Sequence, residues 1–489
     1  MKRINLTQLI ILVFYFVLFL LLARNLDAPY LWFDEAGQFF VSKGLNHDSE
    51  PFGNEKGLAS VIKNNAHYNL DPGGFSILLH FWAKISNHHV WLRILPFVFF
   101  VITILSIIYL SYLWSGNLSV ALLTGIIPII APLIANMAFE IRAFSMEYLG
   151  IVMGVIAIDR LNYHLSKKAL LGWGLLLSAF ITSRYSAIVV VFIISLIIVY
   201  LIFRTQLPLK EKALSLIVYA TPILISLVFI YIFSLNIQNP NAEPVSYMPY
   251  LKSEAGILLQ PKNIVYLSFV VFLSGLLILQ KRFQKIQKYR MLLILAISAN
   301  LMFISLSLLG KYPWTPYSNK LISLVILTII CVCAAFTEIS SLMLSKLGKP
   351  GLIMVIVVLI TAVFVQRDKL SIRTGNQDNT YFCLEQIDFD NFKSVFVDRW
   401  ASPCVRYLYE YGALKSERSG VYPEKFTFAK GQKHNFFSGR LSRDEFYALQ
   451  PKMNQLLEYD LIIAPELHKQ GENDRWNSLY RCSNFFVKK

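Results

Sequence analysis

Stretch after stretch of this chain is apolar over the roughly 20 residues that an α-helix needs to cross a bilayer. Such runs read as membrane-spanning helices. Composition agrees: the 489 residues are 55% hydrophobic and 16% charged, with a mean hydropathy of +0.52. Those values lie outside the range of soluble domains. Lys2 and Arg3 precede an apolar run from Leu9 to Leu22. No small-x-small cleavage pattern follows it, so it reads as an uncleaved first helix. The expected architecture is an all-α polytopic membrane domain over 1–366, followed by a small C-terminal α/β domain over 367–489.

About eleven spans are expected. The first lies near 6–23, and a long loop runs from about 24 to 88. Further spans fall near 91–113, 120–138, 144–158, 169–182, 186–203 and 213–235. The last four fall near 263–280, 291–309, 321–344 and 350–366. Ala169 to Phe203 is too long for one untilted helix, and the polar break Thr182-Ser-Arg-Tyr-Ser186 predicts a hairpin of two short ones.

The net charge of +16 does not point to nucleic acid, because many basic residues sit in short loops between spans. Segments 159–168, 204–212, 281–290 and 345–349 hold most of the loop cations, among them Arg160, Arg204, Lys288 and Arg290. The positive-inside rule places these loops and the N-terminus in the cytoplasm. An odd span count then places residues 367–489 on the extracytoplasmic side of the inner (plasma) membrane. Within that region Ser394–Asp398 and Tyr459–Ala464 read as short buried strands and Pro403–Ala413 as a helix. Cys331 and Cys333 fall inside a span and read as small core residues. Cys383, Cys404 and Cys482 leave room for one disulfide outside the cytoplasm.

Acidic and basic residues gather at the outer ends of these spans. Asp34 and Glu35 sit in Tyr30-Leu-Trp-Phe-Asp-Glu-Ala-Gly37, just past the first span. Carboxylates at a membrane face are costly unless they have work or a partner. Late in the first loop comes His67-Tyr-Asn-Leu-Asp-Pro-Gly-Gly74, with Asp71. Glu140-Ile-Arg-Ala-Phe-Ser-Met146 supplies Glu140 and Arg142, and Arg184 stands in the hairpin break. Lys311-Tyr-Pro-Trp-Thr-Pro-Tyr-Ser-Asn-Lys320 adds Lys311 and Lys320. A carboxylate can take a proton from an attacking hydroxyl. Arg and Lys can hold a phosphate and stabilise charge on a leaving group. Trp32, Phe33, Tyr68, Trp314 and Tyr317 could face a sugar or form an interface belt. Plainer roles for the same residues are a solvated helix start, a turn, a structural ion pair and snorkelling lysines. Arg93, at the outer start of the second span, reads as an anchor.

On these residues the chain resembles GT-C-fold glycosyltransferases, the group with protein O-mannosyltransferases and the bacterial lipid A aminoarabinose transferase. The resemblance rests on Asp34-Glu35, on Asp71-Pro72 leading to Phe75–Trp82, on Trp91-Leu-Arg-Ile-Leu-Pro96, and on Glu140–Met146. It implies a polyprenyl-phosphate-linked sugar donor and inverting transfer to a lipid, glycan or protein acceptor. It further implies Asp34 as acid/base; the expected roles beside it are Glu35 or Glu140 positioning Asp34 or Arg142, and Arg142, Arg184 and Lys320 holding the phosphate. Phe144 departs from the family's aromatic alcohol, Gly73-Gly74 from a common second proline, and Lys320 from a common arginine. No His/Cys/Asp spacing marks a metal site. Asp34, Glu35 and Glu140 leave open a shared Mg²⁺ or Mn²⁺, although the reading expects activity that survives chelation. The rival reading, a transporter or flippase of a lipid-linked substrate, calls for mid-membrane charges and internal repeats.

Overall fold

The protein was analysed as a computed structural model. It describes residues 6–28, 31–45, 55–68, 71–238, 261–279, 288–309, 311–312, 314, 321–370, 394–397, 402–411, 426–428, 461–463, 476–479 and 482–488. The described chain is mostly helical. Among the described residues seven helical stretches are long and apolar enough to cross a membrane, beginning at Leu6, His89, Tyr185, Leu209, Arg290, Ile322 and Lys349. Two units are formed, and each is taken by itself.

The first unit comprises residues 1–23, 96–232 and 244–371. It contains α1 (Leu6–Ala23) and, after the first loop, most of α5 (His89–Ser115). Then come α6 (Leu118–Thr124), α7 (Ile127–Ile130), α8 (Pro132–Met137), α9 (Phe144–Tyr163), α10 (Lys167–Ile181), α11 (Tyr185–Arg204) and α12 (Leu209–Ile230). It ends with α13 (Pro261–Leu279), α14 (Arg290–Leu308), α15 (Ile322–Leu347) and α16 (Lys349–Leu370). The window 120–138, expected as one span, is instead the three short helices α6 to α8. Pro128 and Pro132 stand in the first turns of α7 and α8. A proline there lacks the amide that would continue the preceding helix. The hairpin break expected near Thr182–Ser186 falls between Ile181 and Tyr185.

Small residues let the α9 backbone approach its neighbours, as is common where helices pack without a hydrophobic driving force. A Cβ built on Gly150 would lie 2.6 Å from that of Phe180, and one on Gly154 would lie 2.4 Å from Ile194 Cδ1. Hydroxyls tie other helices: Ser111 on α5 meets Thr124 on α6 at 3.1 Å and Thr337 on α15 at 2.8 Å. Buried hydroxyls need such partners because no water reaches them.

The second unit comprises residues 24–95, 233–243 and 372–489, so the long first loop groups with the C-terminal region. The boundary expected from sequence kept that loop with the membrane helices. Its helices are α2 (Phe33–Ser42), α3 (Leu58–Tyr68), α4 (Gly74–Ala83), the first turns of α5 and α17 (Ser402–Glu410). Its strands are β1 (Val395–Val397), β2 (Phe426–Phe428), β3 (Leu461–Ile463), β4 (Trp476–Leu479) and β5 (Cys482–Lys488). Their order is β2-β1-β3-β5-β4. Strand β1 pairs in parallel with β2 and β3, while β5 is antiparallel to β3 and β4. Helix α17 provides the crossover that two adjacent parallel strands require.

Polar side chains fix α2, α3 and α4 to one another. Gln38 donates to Ser76 at 2.6 Å, Ser76 donates to Asn65 at 2.6 Å, and Asn65 donates to the Asp71 carbonyl at 2.8 Å. Lys43 reaches Glu55 and the Ala83 carbonyl, both at 3.2 Å. The turn that delivers Asp71 depends on Gly73, whose φ is +104°. A Cβ on Gly73 would lie 2.9 Å from Asn65 Nδ2, inside the same network. Gly73→Ala should therefore cost about 1–3 kcal/mol from backbone strain alone. Thermal unfolding of the purified protein checks this: a clear fall in midpoint is expected, and an unchanged midpoint would contradict the role given to this turn.

Candidate functional site

The first turn of α2 carries the two carboxylates. Trp32, with extended backbone (ψ 169°), is the N-cap, which places Asp34 and Glu35 at the second and third helical positions. Negative charge is favoured there by the exposed amides and the helix dipole. Glu35 Oε2 accepts from the Trp32 amide at 3.4 Å, closing the turn. The same oxygen accepts from Arg93 Nη2 at 3.1 Å. Arg93 also donates to the Ala28 carbonyl, fastening the chain just before α2 to the start of α5. Both side chains of the pair are 1% exposed. Asp34, one residue earlier, is half-buried.

Asp71 is buried, and its backbone is held by Asn65 from α3. The Pro72 carbonyl accepts from Ser234 at 2.9 Å, so a segment distant in sequence steadies the turn. Trp82 on α4 and Trp91 on α5 stack at 4.3 Å with 5° between their planes. Each indole N–H donates to the other residue's carbonyl, at 2.7 and 3.0 Å.

Helix α17 packs on the buried face of α2. Phe39 makes edge contacts with Tyr407 at 5.2 Å and Tyr411 at 5.1 Å. The Arg406 guanidinium lies 4.1 Å from the centre of the Phe40 ring, a cation–π contact. Tyr407 donates to the Asn87 carbonyl at 2.8 Å. Burial pushes the Tyr407 phenol well above its ordinary pKa; Arg93 opposes the shift and Glu35 adds to it. Tyr407 thus senses both charges of the Glu35–Arg93 pair. The sequence marked Pro403–Ala413 as a helix but carried no sign that it would support the Asp34 turn.

In the first unit, Glu140 and Arg142 lie in the tight segment before α9, where the Arg142 amide donates to the Glu140 carbonyl at 2.6 Å. Glu140 is buried and Arg142 half-buried. The Phe144 ring lies 5.7 Å from the Arg142 guanidinium and 4.6 Å from that of Arg184. Two cations therefore share one aromatic ring at the start of α9.

Glu147, one turn further on, is fully buried. Its carboxylate accepts from Ser186 at 2.5 Å and from Ser323, and it lies 3.6 Å from Arg184. Sequence reading passed over Glu147 because it falls inside an apparent span. An acid in the first turn of an apolar helix, with an arginine in the next hairpin, was the available signal.

Lys311 is exposed, and its amide donates back to the Leu306 carbonyl at 2.8 Å. Lys320 lies outside the described residues, as does Tyr317; the side chain of Tyr68 is likewise undescribed. Trp314 is wholly buried against Tyr266 at 6.1 Å, so it is a packing residue and not an open platform for a sugar. Among the described residues no group of three or more His, Cys, Asp or Glu side chains gathers in a metal-ligating arrangement. Cys404 is buried on α17, and Cys383 lies outside the described residues.

No protein-family model, curated protein or solved structure matches this chain.

Removing one partner of a fully buried ion pair leaves a charge without compensation, at a cost of about 3–5 kcal/mol. Arg93→Ala should therefore lower the unfolding temperature sharply. An apolar replacement of both residues, Glu35→Leu with Arg93→Met, should recover much of the loss. If Arg93→Ala unfolds like the unaltered protein, the pair does not hold this turn.

Proposed function

We propose that the protein is a GT-C-like integral-membrane glycosyltransferase that moves a sugar from a polyprenyl phosphate to an acceptor outside the cytoplasm. In this reading about eleven helices span the inner membrane, the N-terminus is cytoplasmic, and the C-terminal α/β domain is extracytoplasmic. The observation that carries the proposal is the division of roles in the first turn of α2. Glu35 is locked to Arg93, while Asp34 occupies the same turn and is only half-buried. In this reading one carboxylate orders the turn, and the other takes up the proton.

The chemistry runs as follows. Asp34 takes the proton from the acceptor hydroxyl as its oxygen attacks the anomeric carbon. The bond from that carbon to the phosphate oxygen breaks on the opposite side, which inverts the centre. The polyprenyl phosphate leaves with the bonding electrons, and cations stabilise the charge that develops on it. Arg142 and Arg184, brought together on Phe144, suit this task, because guanidinium matches phosphate in a two-pronged geometry. Glu147 orients Arg184 and balances its charge. Lys311 and Lys320 are further candidates for the donor, and Asp71 for the sugar.

General-base catalysis contributes roughly 10²–10⁴-fold. Asp34→Asn should therefore lower turnover by about that factor while donor binding persists. Arg142→Ala should weaken donor binding as well, because a charge-assisted contact is lost. Transfer from a labelled polyprenyl-phosphate sugar, measured beside donor binding, separates the two. Near-normal transfer by Asp34→Asn would remove Asp34 from the mechanism.

A further inference from the structure

The loop cations that set topology are not all accounted for by topology. At one end of the first unit, the last residues of α5, α9 and α11 and the first residues of α14 enclose a cleft of about 390 Å³. That volume falls in the range of small-ligand pockets. It is lined by Arg204, Lys288, Arg290 and Asp159 and, behind them, by the buried Val155, Ile158, Leu292 and Leu295. A second cleft of about 330 Å³ adjoins it and shares Asn162, Tyr163 and Arg204.

The charges lining the cleft differ in their partners. Lys288 is paired with Glu338 and donates to the Trp114 carbonyl at 2.9 Å. Glu338 also accepts from Tyr289 at 2.8 Å. Asp159 accepts from the Trp114 side chain. Arg204 and Arg290 are exposed, and neither makes an ion pair or side-chain hydrogen bond with another described residue. Two guanidiniums thus line one cleft at the ends of the apolar helices α11 and α14, where Trp114 and Tyr163 supply interfacial aromatic rings.

We propose that this cleft seats the phosphate of an anionic phospholipid, with Arg204 and Arg290 gripping the headgroup while its acyl chains stay in the bilayer beside the apolar helices that end there. Guanidinium is well suited to a phosphate diester because it binds two oxygens at once and is only weakly hydrated. What favours a lipid over free phosphate is that Arg204 and Arg290 stand at the ends of two helices long and apolar enough to cross a membrane. In the topology given above this end faces the cytoplasm, where anionic lipid attracts basic segments. The proposal rests on the chain being a membrane protein and not on the glycosyltransferase reading, so either can fail without the other.

Native mass spectrometry of delipidated protein, titrated with phosphatidylglycerol or phosphatidylcholine, tests it. Phosphatidylglycerol should bind at least about tenfold more tightly, a difference of about 1.4 kcal/mol. The preference should disappear in the double variant Arg204→Gln/Arg290→Gln, persist in part in Arg204→Lys/Arg290→Lys, and be unaffected in Lys346→Gln. Equal binding of the two lipids by the unaltered protein would overturn the proposal, whatever the variants do. So would a glutamine double variant that keeps the preference. Competition by inorganic phosphate at millimolar concentration that removes phosphatidylglycerol would make this a site for soluble phosphate and overturn the lipid assignment.

Discussion

The second unit depends on a buried ion pair. Glu35 and Arg93 are both almost fully enclosed, where an unpaired charge would be strongly unfavourable. Their contact joins the start of α2 to the start of α5, and the Arg93 bond to the Ala28 carbonyl adds the chain that enters α2. The polar chain from Gln38 through Ser76 and Asn65 to the Asp71 carbonyl then sets α3 and α4 against α2. Helix α17 completes the enclosure through Arg406 and Tyr407. The mechanism proposed for Asp34 would need such a surround, since a small displacement of a catalytic group lowers rate steeply. Asp34 sits in the turn that all these contacts hold.

The first unit treats charge in a parallel way. Glu147 is enclosed and satisfied by two serines and Arg184, and Arg184 shares the Phe144 ring with Arg142. Phe144, which stands where the resembled family often has an aromatic alcohol, has no hydroxyl to offer a ligand. It offers a face instead, and two guanidiniums use it. Cations brought this close repel each other unless anions answer them, and this unit holds two buried carboxylates, Glu140 and Glu147, close in sequence to them.

Much of the architecture was legible because apolar periodicity and length are strong signals. The apolar windows located the helices, and the Thr182–Ser186 break was marked by its polarity. The sequence did not reveal that 120–138 would fragment, although Pro128 and Pro132 were visible and signalled it. It also kept the first loop with the membrane helices, because grouping by tertiary packing leaves no trace in local composition. At the site, Asp34 and Glu35 stood out as adjacent acids, but their different environments could not be read from adjacency. Only the position of Arg93, 58 residues away, separates them. Gly73 looked like a departure from a proline pattern, and the structure gives its physical reason in a positive φ beside Asn65. Glu147 was missed because a buried acid within an apolar helix looks like an interruption until its partners are known.

The central claim is that this fold transfers a sugar from a lipid phosphate. Purified protein in lipid nanodiscs, supplied with a polyprenyl-phosphate donor labelled in its sugar and with a crude envelope extract as acceptor, tests it most directly. The account predicts that label leaves the donor, that polyprenyl phosphate appears in equal amount, and that the label becomes attached to an acceptor. Donor that stays intact while it binds the protein, or intact donor that crosses the bilayer of a sealed vesicle carrying the protein, would contradict the account.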